Sequence, residues 1–71
     1  MTHEEAFQEY LGSPASGKKA FVIELAEGEN NPFAKIAGGK ITGRGRMIMK
    51  SSALYIEAES CSNSEAQELT V

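Results

Sequence analysis

The chain has one cysteine, one histidine, no aspartate and no tryptophan among its 71 residues. Because Cys61 is the only cysteine, no disulfide can form within the chain, and Cys61 with His3 cannot make up a tetrahedral zinc site. The missing aspartate removes the residue most often used in calcium loops and as the orienting carboxylate of catalytic triads. The sequence therefore predicts neither a metal site nor another cofactor.

Long apolar runs are missing as well. The run Ala20–Ile23 is far shorter than the roughly 20 residues that cross a bilayer. The acidic stretch Met1–Phe7 differs from a signal peptide, which begins basic and then becomes apolar. A lone thiol suits a reducing compartment. These features predict a cytoplasmic protein without a membrane span.

The composition is that of a small globular domain, with 41% hydrophobic and 24% charged residues. A chain of this length leaves room for one domain, over residues 1–71, with a thin core. Small domains often gain stability from disulfides, metals or oligomers. Since the first two are excluded here, we expect self-association to contribute.

The N-terminal residues have the pattern of a helix over residues 3–11. Thr2 and Glu5 form a capping box, in which each side chain can satisfy a main-chain amide at the helix start. Gly12 can take the backbone conformation that ends the helix. The apolar positions recur at helical spacing, at Ala6, Phe7, Tyr10 and Leu11.

Three strands are predicted after a loop at residues 13–17. Residues 18–26 form the first strand, and residues 40–50 form a second strand that is kinked by Gly43 and Gly45. The alternative is that the two glycines form a turn between two shorter strands. Ser51–Ser52 predicts a tight turn into a third strand over residues 53–59, with Leu54, Ile56 and Ala58 inward and Tyr55, Glu57 and Glu59 outward.

A second helix is predicted at the C-terminus, because Ser62 and Glu65 form another capping box and Ala66 and Leu69 are three residues apart. A short helical turn is also predicted near residues 33–36. The fold class is therefore α+β: a three-stranded, mostly antiparallel sheet with the N- and C-terminal helices packed on one face.

Positive charge is concentrated in residues 35–50, which hold five of the seven basic residues and no acidic residue. Such a stripe is typical of a surface that meets acidic protein or phosphate, although a solvated strand face protected from aggregation gives the same pattern. The predicted partner-binding residues are Lys40, Arg44, Arg46, Lys50 and Tyr55.

No catalytic motif stands out. Residues 38–42 lack the glycine and Lys-Ser/Thr spacing of a phosphate loop, and residues 43–46 lack the third glycine of a dinucleotide fingerprint. A Cys61–His3 dyad would join opposite ends of the chain. Glu57 and Glu59 share a strand face, which a solvated surface explains. We therefore do not expect an enzyme.

The segment Ile56–Ala66, a strand followed by a serine-capped helix, resembles a unit of small phage-borne proteins, including some anti-CRISPR inhibitors. The resemblance transfers no functional residue to this sequence. It implies a compact protein that blocks a larger nucleic-acid-handling complex, in the host cytoplasm if the protein is phage-encoded.

These observations predict a non-catalytic inhibitor or adaptor that docks on a larger protein or ribonucleoprotein complex through the cationic strand at residues 40–50. Two alternatives remain open. The same stripe, with Tyr55 as a stacking residue, suits a small nucleic-acid-binding module. The chain also suits a self-assembling structural subunit.

Overall fold

The computed structural model describes residues 1–27 and 40–71 of the chain. The helical turn predicted near residues 33–36 lies outside the described residues. In chain order the elements are α1 (His3–Leu11), β1 (Lys19–Glu24), β2 (Ile41–Thr42), β3 (Met47–Lys50), β4 (Ala53–Ala58), β5 (Ser60–Cys61) and β6 (Ala66–Leu69).

The N-terminal helix confirms the sequence prediction in its bounds and at both ends. The Thr2 hydroxyl accepts a hydrogen bond from the Glu5 amide, and the Glu5 carboxylate accepts one from the Thr2 amide. Gly12 ends the helix with a φ of 77°, and its N–H donates to the Gln8 carbonyl. The capping signal is local, so it could be recognised without the rest of the fold.

Among the described residues the main sheet has four strands in the order β3-β4-β1-β6, and the three strand pairs within it are all antiparallel. A second, two-stranded sheet pairs β2 with β5. The α+β class and the antiparallel arrangement are thus confirmed. The prediction of a single three-stranded sheet with two helices was wrong, since α1 is the only helix in the described residues.

Side chains are buried on both faces of the main sheet. On one face, Phe7 of α1 packs with Val22 and Tyr55; on the other, Phe21 and Ile56 belong to a second cluster. All six residues of β4 are buried. The prediction that Tyr55 and Glu57 face solvent was therefore wrong, because α1 packs on Tyr55, and Arg46 and the loop after α1 contact Glu57.

The two-sided core also explains why the consecutive residues Met47 and Ile48 are both apolar. Met47 packs on the cluster opposite α1, whereas Ile48 packs on the cluster beneath α1. A strand that is covered on both faces can carry consecutive apolar residues.

The C-terminal helix does not form. Residues 66–69 instead make β6, which pairs with β1, and the amides of Glu65 and Ala66 donate to the side chain and the carbonyl of Asn63 in the preceding turn. Ala66 and Leu69 belong to opposite clusters. A spacing of three places two residues on one face of a helix but on opposite faces of a strand, and both faces of this sheet carry an apolar cluster.

Candidate functional site

The stretch from Ile41 to Lys50 combines the two arrangements considered from the sequence. It forms two strands, β2 and β3, and both pair with one continuous stretch of the same chain, residues 53–61. Between the pairs Thr42–Ser60 and Met47–Ile56 there are four residues on one side and three on the other. The stretch therefore accommodates one extra residue, which is a β-bulge.

Main-chain hydrogen bonds locate the bulge at Gly45 and Arg46, which both lie opposite Glu57. The Gly45 N–H donates to the Glu57 carbonyl at 2.8 Å, and the Glu57 N–H donates to the Arg46 carbonyl at 2.9 Å. A Cβ on Gly45 would overlap the Glu57 side chain. The glycine therefore leaves the space that the Glu57 carboxylate occupies.

Arg46 is bound to this carboxylate. Its main-chain N–H and its Nε donate to Oε1 of Glu57 at 3.0 and 3.1 Å, and its NH2 group donates to Oε2 at 2.9 Å. The same guanidinium donates to the carbonyls of Leu11 and Ser13 at 2.6 and 2.9 Å. Arg46 thus joins the sheet to the end of α1 and the loop that follows.

Glu57 is 3% exposed and carries a negative charge that Arg46 compensates. The hydrogen bonds from the Arg46 side chain and main chain lower the Glu57 pKa to about 2, with a further contribution from the Ala15 amide. The same contact raises the pKa of Arg46. The charge of Arg46 is therefore committed largely to the protein's own carboxylate.

Tyr55 lies in a small polar and aromatic cluster beneath α1. It is 3% exposed, and its hydroxyl is 2.9 Å from Nδ1 of His3, whose Nε2 is 2.8 Å from Oε1 of Glu24. The rings of Tyr10 and Tyr55 meet edge to face, with centroids 5.8 Å apart. Burial raises the pKa of Tyr55. Its ring is covered by the fold and has no open face on which a base could stack.

The other three predicted site residues, Lys40, Arg44 and Lys50, are exposed. Lys50 stands at the end of β3, with its Nζ 5.8 Å from the centroid of the Tyr10 ring. A cleft of about 360 Å³ lies close by, lined by Met1, His3, Ala6, Tyr10, Ser51 and Tyr55. The predicted set therefore divides into three exposed cations, a half-exposed Arg46 whose guanidinium is hydrogen-bonded within the protein, and a buried Tyr55.

Lys18 joins this region although it is distant in sequence. Its Nζ donates to the carbonyl of Gly43 at 2.8 Å, and Gly43 is the residue that precedes Arg44 in the sequence. The sequence predicts Lys18 only as the start of the first strand. Its proximity to Gly43 follows from the pairing of β1 with β4, and no local sequence pattern predicts it.

The structure does not bring Cys61 and His3 together. Cys61 packs on the cluster opposite α1, whereas His3 is in α1 itself. Within residues 1–27 and 40–71 there is no group of three or more metal-ligating side chains. No described helix is long and apolar enough to cross a membrane.

Comparisons with known proteins add no assignment. No protein-family model matches the chain, and neither the curated proteins nor the solved structures include a significant match.

Proposed function

We propose that the protein is a non-catalytic inhibitor or adaptor that docks on a protein partner through the exposed cations Lys40, Arg44 and Lys50. The observation that supports this most directly is the outer strand β3, where the exposed Lys50 follows Met49, a methionine that is 51% exposed. An exposed apolar side chain beside cations suits an acidic protein surface with an apolar component.

The structure favours a protein partner over nucleic acid. Arg46 has its guanidinium engaged by Glu57, Leu11 and Ser13, and Tyr55 is buried. A single-strand-binding surface needs stacking platforms along a cationic groove, and these two residues were the strongest candidates for it. With a net charge of −3, the rest of the molecule would also repel a polyanion.

The narrower version, in which the partner is a nucleic-acid-handling complex of a phage host, rests on the resemblance of residues 56–66 alone. In this structure Ser62 and Asn63 lead into a turn and then β6, so the segment lacks the capped helix on which the resemblance was based.

The test is a capture experiment with the immobilised protein, with and without nuclease treatment of the lysate. We expect a discrete protein or complex to remain bound after nuclease treatment, and to be lost from a Lys40→Glu/Arg44→Glu/Lys50→Glu variant that keeps the wild-type circular dichroism spectrum. Lys19→Glu is the control, because it reverses an exposed charge on β1.

Three results would contradict the proposal. If the wild type and the triple variant retained the partner equally, these cations would not be part of the docking surface. Loss of the retained proteins after nuclease treatment would mean that these cations bind nucleic acid. Recovery of the protein alone would favour the self-assembling subunit.

A further inference from the structure

The main-chain groups of β3 divide into a paired side and an outer side. The two-residue turn makes Lys50–Ala53 the closing hydrogen-bonded pair of the hairpin, and in an antiparallel ladder such pairs recur at every second residue. Ile48–Tyr55 is the next such pair. The N–H and C=O groups of Met47 and Met49 therefore point away from β4, along the outer edge of the sheet.

Nothing in the described part of the chain pairs with this edge. The strand order begins with β3, whose strand neighbour is β4. A strand edge with free N–H and C=O groups is a template for the addition of another strand. Two outward-facing residues offer two donors and two acceptors to such a strand.

The side chains along the edge have a defined alternation. Met47 and Met49 are on the face opposite α1, where Met47 packs on the apolar cluster and Met49 is exposed. Arg46 and Lys50 are on the face that α1 covers, with Lys50 over the Tyr10 ring and Arg46 next to Glu57. An added strand would meet methionines on one face and cations on the other.

We propose that the β3 edge binds an extended segment of the partner as an additional antiparallel strand. Acidic side chains of that segment face Lys50, and apolar side chains face Met47 and Met49. This inference rests on the proposed docking function and specifies its mode and the chemistry of the partner. Cross-strand pairs of opposite charge and of apolar side chains stabilise such an arrangement.

A second copy of the chain is a poorer occupant of this edge. A two-fold antiparallel pairing of β3 centred on Ile48 would place Arg46 of one copy opposite Lys50 of the other, on the same face. Like charges directly opposite each other destabilise a strand pair. β3 itself carries no acidic residue, so a second copy of β3 offers no negative charge to Lys50 in any register, and we assign the acidic segment to a different protein.

The first probe is a fluorescent peptide of alternating glutamate and valine, titrated against the full chain by fluorescence anisotropy. We expect a Kd below about 1 mM for this peptide, and a Kd at least tenfold higher for the matching lysine–valine peptide. Absence of binding by the acidic peptide, or equal binding of the two peptides, would overturn the proposal.

Strand addition is then separated from simple charge attraction by backbone changes in the peptide. N-methylation of alternate residues removes the N–H groups along one edge of the peptide. One series methylates the valines, which pair with Met47 and Met49 in the proposed arrangement, and the other methylates the glutamates. We expect at least a tenfold loss of affinity for the valine series and retained binding for the glutamate series. Equal affinities would overturn the proposal.

The matching change in the protein is Met49→Pro, which removes an outward N–H that the β3–β4 pairing does not use. Met49→Ala is the control, because it keeps the N–H and removes the side chain. We expect at least a tenfold loss of peptide and partner binding for the proline variant beyond that of the alanine variant. If Met49→Pro does not fold, the N-methylated peptides decide the question with the wild-type chain.

The two proposals fail in different ways. If the triple charge reversal abolishes partner binding but Met49→Pro and Met49→Ala bind equally, the cationic docking surface stands and strand addition is wrong. If the charge reversal has no effect, the docking proposal itself is wrong.

Discussion

Arg46 donates three hydrogen bonds to the carboxylate of Glu57, at 2.9 to 3.1 Å, across the β-bulge that Gly45 opens in the outer part of the sheet. A fourth comes from the Ala15 amide, so a nearly inaccessible negative charge is fully surrounded by donors. This contact joins the sheet, the end of α1 and the following loop at one point, and the stability of the domain should depend on it.

Replacing Glu57 by glutamine keeps its size but removes the charge that its donors compensate. We expect the free energy of unfolding to fall by about 1–3 kcal/mol, since hydrogen bonds to charged groups are stronger than neutral ones. Urea denaturation measures the change. Glu59→Gln, an exposed position two residues along the chain, is the matched control. Equal stability of the two variants would show that the contact contributes little.

Acid should weaken the domain through the same carboxylate. The Glu57 pKa is about 2 in the folded chain, against 4.5 without the contacts. Between these values the unfolded state binds more protons, so stability rises with pH. The contribution of Glu57 is fully present above about pH 4.5 and is lost as the pH falls through about 2.

Urea midpoints measured between pH 2 and pH 6 test this dependence, with Glu57→Gln as the reference. We expect a steeper loss of stability in acid for the wild type than for the variant. Parallel curves would mean that another group dominates acid unfolding.

Gly45→Ala tests the steric side of the same contact. Gly45 lies outside the left-handed region of backbone conformation, but its new Cβ would overlap the Glu57 side chain. We expect a loss of about 1–3 kcal/mol, typical of overpacking. In a Glu57→Ala background the loss should shrink, because the obstructing side chain is gone. A double-mutant cycle without coupling would contradict this account.

Substitutions in the hairpin turn between β3 and β4 should increase the stability of the domain. Ser51 and Ser52 have φ values of 50° and 63°, a conformation that type I′ turns require and that asparagine and glycine adopt more easily. Ser51→Asn/Ser52→Gly should raise the free energy of unfolding by about 0.5–1 kcal/mol. Ser51→Ala/Ser52→Ala keeps the unfavourable conformation and is the control; a gain of the same size there would exclude the turn as the cause.

The sequence predicted those elements whose signals are local. The Thr2–Glu5 capping box fixes the start of α1, and the strands predicted over residues 18–26 and 53–59 form as β1 over 19–24 and β4 over 53–58. The two-serine turn gives the hairpin register. Of the candidate site, Lys40, Arg44 and Lys50 lie on the surface, as long charged side chains generally do.

The sequence by itself therefore determined the helix, the hairpin and the charge segregation, since each depends on residues a few positions apart. Tertiary structure decided the rest. Ala66 and Leu69 fit a helix or a strand equally well, and the edge of β1 selected the strand. The contact between Arg46 and Glu57 depends on the bulge and on the end of α1, so the sequence alone did not show that Glu57 binds Arg46. Both outcomes depend on burial across long separations in sequence, which local patterns do not encode.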